Sequence, residues 1–167
     1  MKKIVILTFA LLSAVTGIEA ASPQTDGFSF SAETRCAIPF GDGKEFSSID
    51  VDAVFGYHFN DRWAVVLPVT GATGLFNASG VKSYETTLLA GLGFEYNFVR
   101  GRSYSLSISP RVQASLYGDW KHVSYDVGLR YRRSSPYVGL GVRYIDTYDS
   151  PFKSRFCIYA AFGFTLF

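Results

Sequence analysis

At 167 residues the chain has the length of one domain, and 16 Lys plus Arg against 14 Asp plus Glu leave a formal net charge of +2. That balance excludes the strong basic excess of a nucleic-acid binder, so no nucleic-acid partner is expected. The 15 Phe and 11 Tyr point instead to strands, and the tyrosines to membrane interfaces.

Residues 1–20 read as a secretory signal peptide. Lys2 and Lys3 form a basic start, Ile4 to Val15 is apolar apart from Thr8 and Ser13, and Thr16, Gly17 and Ala20 lead to a cleavage site after Ala20 or Ala21. The apolar run falls short of the roughly 20 residues that a membrane helix needs. Residues 21–167 then form a single domain.

In that domain apolar and polar residues alternate, most clearly along Val123-Ser124-Tyr125-Asp126-Val127-Gly128-Leu129-Arg130-Tyr131. Side chains alternate faces along a strand, so period two marks β-structure with one apolar face. Eight strands follow in order. The first, 27–38, turns Phe28, Phe30, Ala32, Thr34 and Ile38 to the apolar face. The second, 48–59, turns Ile49, Val51, Ala53, Phe55, Tyr57 and Phe59 there, and the third, 63–73, turns Trp63, Val65, Leu67 and Val69. The fourth is 83–98, the fifth 104–117, the sixth 123–132, the seventh 137–145 and the eighth 154–167.

None of these apolar faces carries a charge. A charge facing lipid at mid-membrane costs about 2–4 kcal/mol, which gives the absence a physical cause. The opposite faces carry Glu33, Asp50, Asp52, Glu85, Glu95 and Asp126 against Arg35, Arg111, Arg130, Arg132, Arg143 and Arg155. Buried charges are tolerable when paired, and the planar Arg fork suits carboxylates. The expected fold is an all-β, eight-stranded antiparallel up-and-down transmembrane β-barrel, apolar outside. An eight-stranded barrel is just wide enough for side chains to fill, so these twelve residues form an interior ion-pair network that plugs the lumen. The inward glycines Gly56, Gly91, Gly93, Gly128, Gly139 and Gly141 make room for the arginines.

The connections 60–62, 99–103 and 133–136 read as short, and 39–47, 74–82, 118–122 and 146–153 as longer on average, with aromatic girdles at both rims. Tyr57, Phe59, Trp63, Tyr96, Phe98, Tyr104 and Tyr131 fall at the short-turn rim. Phe46, Tyr84, Tyr117, Trp120, Tyr125, Tyr148 and Phe156 fall at the other. Pro68 and Pro110 lie inside strands, where each removes a ladder donor, so bulges or displaced boundaries are expected there. Cys36 and Cys157 have opposite parity, which argues against a disulfide between them.

With strand number, girdles and an aromatic end, the chain resembles the small outer-membrane barrels of Gram-negative bacteria, the eight-stranded OmpA/OmpX type. The ending Ala161-Phe162-Gly163-Phe164-Thr165-Leu166-Phe167 is similar to that family's terminal insertion signal, although Phe162, Phe164 and Leu166 have the parity opposite to Phe167. The resemblance implies the cell outer membrane, a monomer without cofactor, and a structural or surface-interaction role. It also implies outer-membrane lipid, lipopolysaccharide, the barrel insertion machinery and an unknown loop ligand as partners.

Two other readings compete. His122-Val123-Ser124 looks like the His-x-Ser pair of outer-membrane lipid A deacylases, in which a His base would activate the Ser hydroxyl. No Glu follows Ser124, so Asp126, Asp146 or Asp149 would have to serve as third member. The other alternative is a soluble secreted ligand-binding barrel, which would have to expose Phe, Leu and Val to water. His58 is expected as a paired interior His rather than a metal ligand, since a metal site needs three or four convergent donors.

Overall fold

A computed structural model describes residues 27–40, 46–78, 81–101, 103–148 and 153–166. The signal-peptide segment, Phe167 and Asp149 lie outside these residues. Eight strands close into a barrel: β1 (Gly27–Pro39), β2 (Phe46–His58), β3 (Trp63–Ala78), β4 (Val81–Arg100), β5 (Ser105–Gly118), β6 (His122–Arg132), β7 (Pro136–Thr147) and β8 (Arg155–Thr165). Every neighbouring pair is antiparallel, and β1 closes on β8 with Cys36 opposite Ala160 and Pro39 opposite Cys157. Closure leaves no sheet edge unpaired.

The alternation sets the faces as expected. Along β2, Asp50, Asp52 and His58 are buried while Ile49, Val51, Phe55 and Tyr57 are exposed. Large apolar side chains line the outer wall all round, from Leu67 and Leu92 to Leu129 and Leu140. Among the strand residues whose side chains are described, charges on the outward face occur only near the strand ends, at Arg100 and Asp146. Cys36 is exposed, Cys157 is buried, and both thiols are free.

Four features differ from the sequence reading. First, β3 and β4 run on to Ala78 and Val81, so their connection is only two residues and β5–β6 is joined by three. The rim opposite the chain termini therefore combines two long strands with short connections and the longer β1–β2 and β7–β8 connections, which keep its loops the longer ones on average. Second, the prolines sit without bulges. Pro68 pairs with Val54 and Pro110 with Val127, and the ladder lapses only on the β4 side of each. The register shifts fall elsewhere, between Leu88 and Leu89 and between Asn97 and Val99.

Third, Phe46 and Trp120 point inward, 3% and 1% exposed, and are not girdle residues. Fourth, the interior glycines accommodate tyrosines as well as arginines. A Cβ on Gly128 or Gly141 would meet Tyr159, one on Gly163 would meet Tyr137, and one on Gly93 or Gly139 would meet an arginine, Arg111 or Arg130.

The turns at the other rim are tight for identifiable reasons. Asn60 Oδ1 accepts the Arg62 and Trp63 amides at 2.9 and 3.0 Å, the side-chain-closed turn that Asn favours. The Arg133 amide donates to the Pro136 carbonyl at 3.0 Å across a connection in which Ser134 has φ 58°.

Candidate functional site

The chemistry-bearing side chains converge inside the barrel, in three layers. Nearest the tight-turn rim, Ser29 Oγ and His58 Nε2 lie 3.1 Å apart. Next, Glu33 from β1 receives Arg111 Nη1 at 3.1 Å on one oxygen and Arg130 Nη2 at 2.6 Å on the other. Arg130 also donates to Glu95 at 3.0 Å, and Arg132 lies 3.5 Å from the second Glu95 oxygen. Arg130 and Arg132 both stand over the Tyr137 ring, at 5.2 and 5.3 Å from its centroid.

The second layer centres on Arg35 and Arg143. Arg35 Nη2 donates to Asp52 Oδ1 at 2.9 Å and to Gln113 Oε1 at 3.1 Å, and Nη1 donates to Asp126. Arg143 Nε and Nη2 grip Asp126 at 2.6 and 3.1 Å, and Nη1 donates to Asp50. Thr70 donates to Asp52, and Gln113 Nε2 donates to Thr70. Tyr159 lies beneath both guanidinium groups, 5.7 Å from Arg35 and 5.4 Å from Arg143. Glu33 and Arg35, 3.6 Å apart, connect the two layers. Each of these buried ions meets an opposite charge, which is what keeps so many charges tolerable out of water.

The third layer is aromatic. Phe46, Phe76 and Trp120 pack with ring centroids 5.0 to 5.8 Å apart, and His122 stacks on Trp120 at 4.0 Å. Arg155 stands over Phe46 at 4.5 Å and Phe76 at 5.7 Å. This layer caps the charges on the side of the β3–β4 hairpin.

The twelve residues expected to form one network divide accordingly. Ten of them, Glu33, Arg35, Asp50, Asp52, Glu95, Arg111, Asp126, Arg130, Arg132 and Arg143, are brought into ion contact. Glu85 and Arg155 are not. They sit a layer above, where Arg155 takes the aromatic faces and the Lys153 carbonyl, and Glu85 Oε2 has no hydrogen-bond partner. Parity assigns both to the inward face, but the face does not specify the height in the barrel.

His122 and Ser124 also fall inside, each 2% exposed, rather than at an open rim. No hydrogen bond joins their side chains; His122 Nδ1 lies 3.2 Å from the Trp120 carbonyl. Asp126 is taken by two arginines, and Asp146 is exposed and accepts a hydrogen bond from Ser154 at 2.9 Å. A base–hydroxyl pair open to a lipid ester is therefore not assembled. Among the described residues no group of three His, Cys, Asp or Glu side chains is placed to hold a metal ion.

Sequence reasoning missed Tyr137, Tyr159 and Phe76. The signal for the tyrosines was present: each lies on the inward parity directly opposite a glycine, Gly163 for Tyr137 and Gly141 for Tyr159. A glycine facing an aromatic ring across a strand pair is a recognised device for pinning register.

No family model matches the chain, and no curated protein does. Among the solved structures similar to it are two from Pseudomonas aeruginosa. The outer membrane protein OprG of Pseudomonas aeruginosa is 12% identical, with 87% of this chain and 99% of that one aligned at a TM-score of 0.50. The N-terminal β-barrel domain of Pseudomonas aeruginosa OprF is 13% identical, with 85% and 99% aligned at a TM-score of 0.49. At such identity the likeness to OprG bears on the fold, and the fold agrees: an eight-stranded antiparallel barrel.

Proposed function

We propose that the chain is a small β-barrel of a Gram-negative outer membrane, with a lumen closed to solutes and a structural or surface-interaction role. One observation carries the reading: large apolar side chains cover the outside of the barrel while ten ion-paired charges fill the inside. In water that distribution is upside down; in lipid it is the stable one. The OprG structure, described as an outer membrane protein, agrees with it in fold. The aromatic cap and the two ionic layers leave the lumen crossed by side chains at three heights, which favours a closed barrel over a channel.

On this reading the chain reaches its membrane through the signal peptide 1–20 and the barrel insertion machinery. Its partners are outer-membrane lipid, lipopolysaccharide and any ligand of the exposed connections. The chain works without cofactor, as a monomer, and His122 and Ser124 serve packing rather than hydrolysis. Planar-bilayer recording tests the closed lumen. Reconstituted protein should insert without producing stepwise conductance. Regular ohmic steps would show an open path and overturn the reading.

A further inference from the structure

The two rims of the barrel differ in charge. Among the strand residues whose side chains are described, the outward charges are a cation at the tight-turn rim, Arg100, and an anion at the opposite rim, Asp146. The connections extend that asymmetry. Among the exposed and described side chains, the tight-turn rim carries Arg62, Arg100 and Arg133 against Asp61 alone, and the opposite rim carries Asp119 and Asp146 against Lys121 and Lys153. Asp61 is already engaged, its Oδ2 2.8 Å and its carbonyl oxygen 3.4 Å from Arg100 Nη1. Among the described residues Arg62 and Arg133 have no ion partner.

Each of these two arginines stands beside an aromatic pair on the outer wall. Trp63, the residue after Arg62, packs on Tyr96 with ring centroids 4.4 Å apart. Tyr131, which shares the outward parity of Arg133, stacks on Tyr104 at 6.2 Å. Trp and Tyr settle at the headgroup level of a bilayer, so the rings fix the depth of this rim. An arginine one or two residues beyond them carries its charge to the plane of the lipid phosphates. The headgroups of the adjoining leaflet are therefore what covers the two guanidinium groups. A planar guanidinium pairs bidentately with a phosphate. An ethanolamine headgroup brings its own ammonium to its phosphate, whereas an uncharged glycerol headgroup leaves the phosphate to the arginine.

We infer that the tight-turn rim holds two anionic glycerophospholipids of the adjoining leaflet, one phosphate on Arg62 beside Trp63 and Tyr96, the other on Arg133 beside Tyr104 and Tyr131. The inference rests on the membrane reading above.

Native mass spectrometry of the protein in detergent tests it, with phosphatidylglycerol and phosphatidylethanolamine added in equal amounts. Phosphatidylglycerol should be preferred about fivefold at each of two adducts, the effect of one arginine at an anionic headgroup. Arg62→Gln and Arg133→Gln should each remove one preferred adduct, and the double variant should hold the two lipids equally. Both side chains are exposed, so the variants should fold, which gel mobility checks. Lys153→Gln, at the opposite rim, should leave the preference unchanged. Equal retention of the two lipids by the unaltered protein, a preference that survives in the double variant, or the same loss on Lys153→Gln would overturn the inference. A protein that stays dispersed without detergent would instead overturn the membrane reading, so the two failures are distinguishable.

Discussion

Arg143 and Asp126 face each other directly across β7 and β6 and make two hydrogen bonds, 2.6 Å from Nε and 3.1 Å from Nη2. The same carboxylate also receives Arg35 from the far side of the lumen. Loss of Asp126 leaves Arg35 on Asp52 and Arg143 on Asp50, whereas loss of Arg143 leaves Asp50, Asp52 and Asp126 to Arg35 alone. Arg143→Met should cost about 3–5 kcal/mol, the penalty of stranding buried charge, and Asp126→Ala clearly less. Urea unfolding of the protein in lipid vesicles, followed by gel mobility, gives the order. Equal losses for both variants would show that the pair contributes alone and that Arg35 is not part of the site.

Tyr159 provides a sharper geometric test. A Cβ on Gly128 would lie 2.3 Å from its hydroxyl oxygen, and one on Gly141 would lie 2.4 Å from the ring carbon Cζ. Each Gly→Ala substitution should destabilise the barrel by roughly 1–3 kcal/mol through overpacking. Adding Tyr159→Phe should rescue Gly128→Ala, because the clashing atom is gone, and should leave Gly141→Ala impaired. Rescue of both, read from unfolding midpoints, would mean that the ring shifts freely and that the tight contact is absent.

These cases show what the sequence carried. Period-two alternation fixes the face of each strand residue, so Asp50, Asp52 and Arg143 were legible as interior, and Cys36 and Cys157 as facing opposite ways. Alternation does not fix height, because layers are set by the stagger between strands. That is why Glu85 and Arg155 were grouped with charges from which the fold separates them. Phe46 and Trp120 lie beyond the strand bounds read from the sequence, yet both keep the inward parity of Asp50 and Asp126; extending the alternation past those bounds places them inside, where they pack on Phe76. The prolines were misjudged because a ladder can lapse on one side of a strand without inserting a residue.

The outer wall gives an independent prediction. Leu92 is an exposed outward residue in the middle of β4. Leu92→Arg should cost about 2–4 kcal/mol when folding is measured into lipid vesicles, the penalty for a charge at mid-membrane. The same change at Tyr148, beyond the end of β7, should cost close to nothing. Equal tolerance at the two positions would place both in water.

Ser134 adopts a left-handed conformation, φ 58°, in the β6–β7 turn. That region costs a non-glycine residue roughly 1–2 kcal/mol. Ser134→Gly should raise the unfolding midpoint slightly, and Ser134→Val should lower it. A reversed order would contradict the turn geometry.

The interior placement of Ser124 predicts that expression of the chain leaves lipid A unaltered, and that Ser124→Ala changes nothing in its mass spectrum. Loss of one acyl chain that depended on Ser124 would restore the hydrolase reading.

The most direct test of the account uses the protein's two tryptophans. Trp63 faces outward at the tight-turn rim, 48% exposed, and Trp120 lies in the aromatic cap, 1% exposed. Two single-tryptophan variants, Trp120→Phe and Trp63→Phe, can be folded into vesicles containing phospholipid brominated near the headgroup. The account predicts strong quenching of Trp63 and little quenching of Trp120, by bromine or by aqueous acrylamide. Quenching of Trp120 by bromolipid, with Trp63 untouched, would mean that the barrel is turned inside out relative to this description.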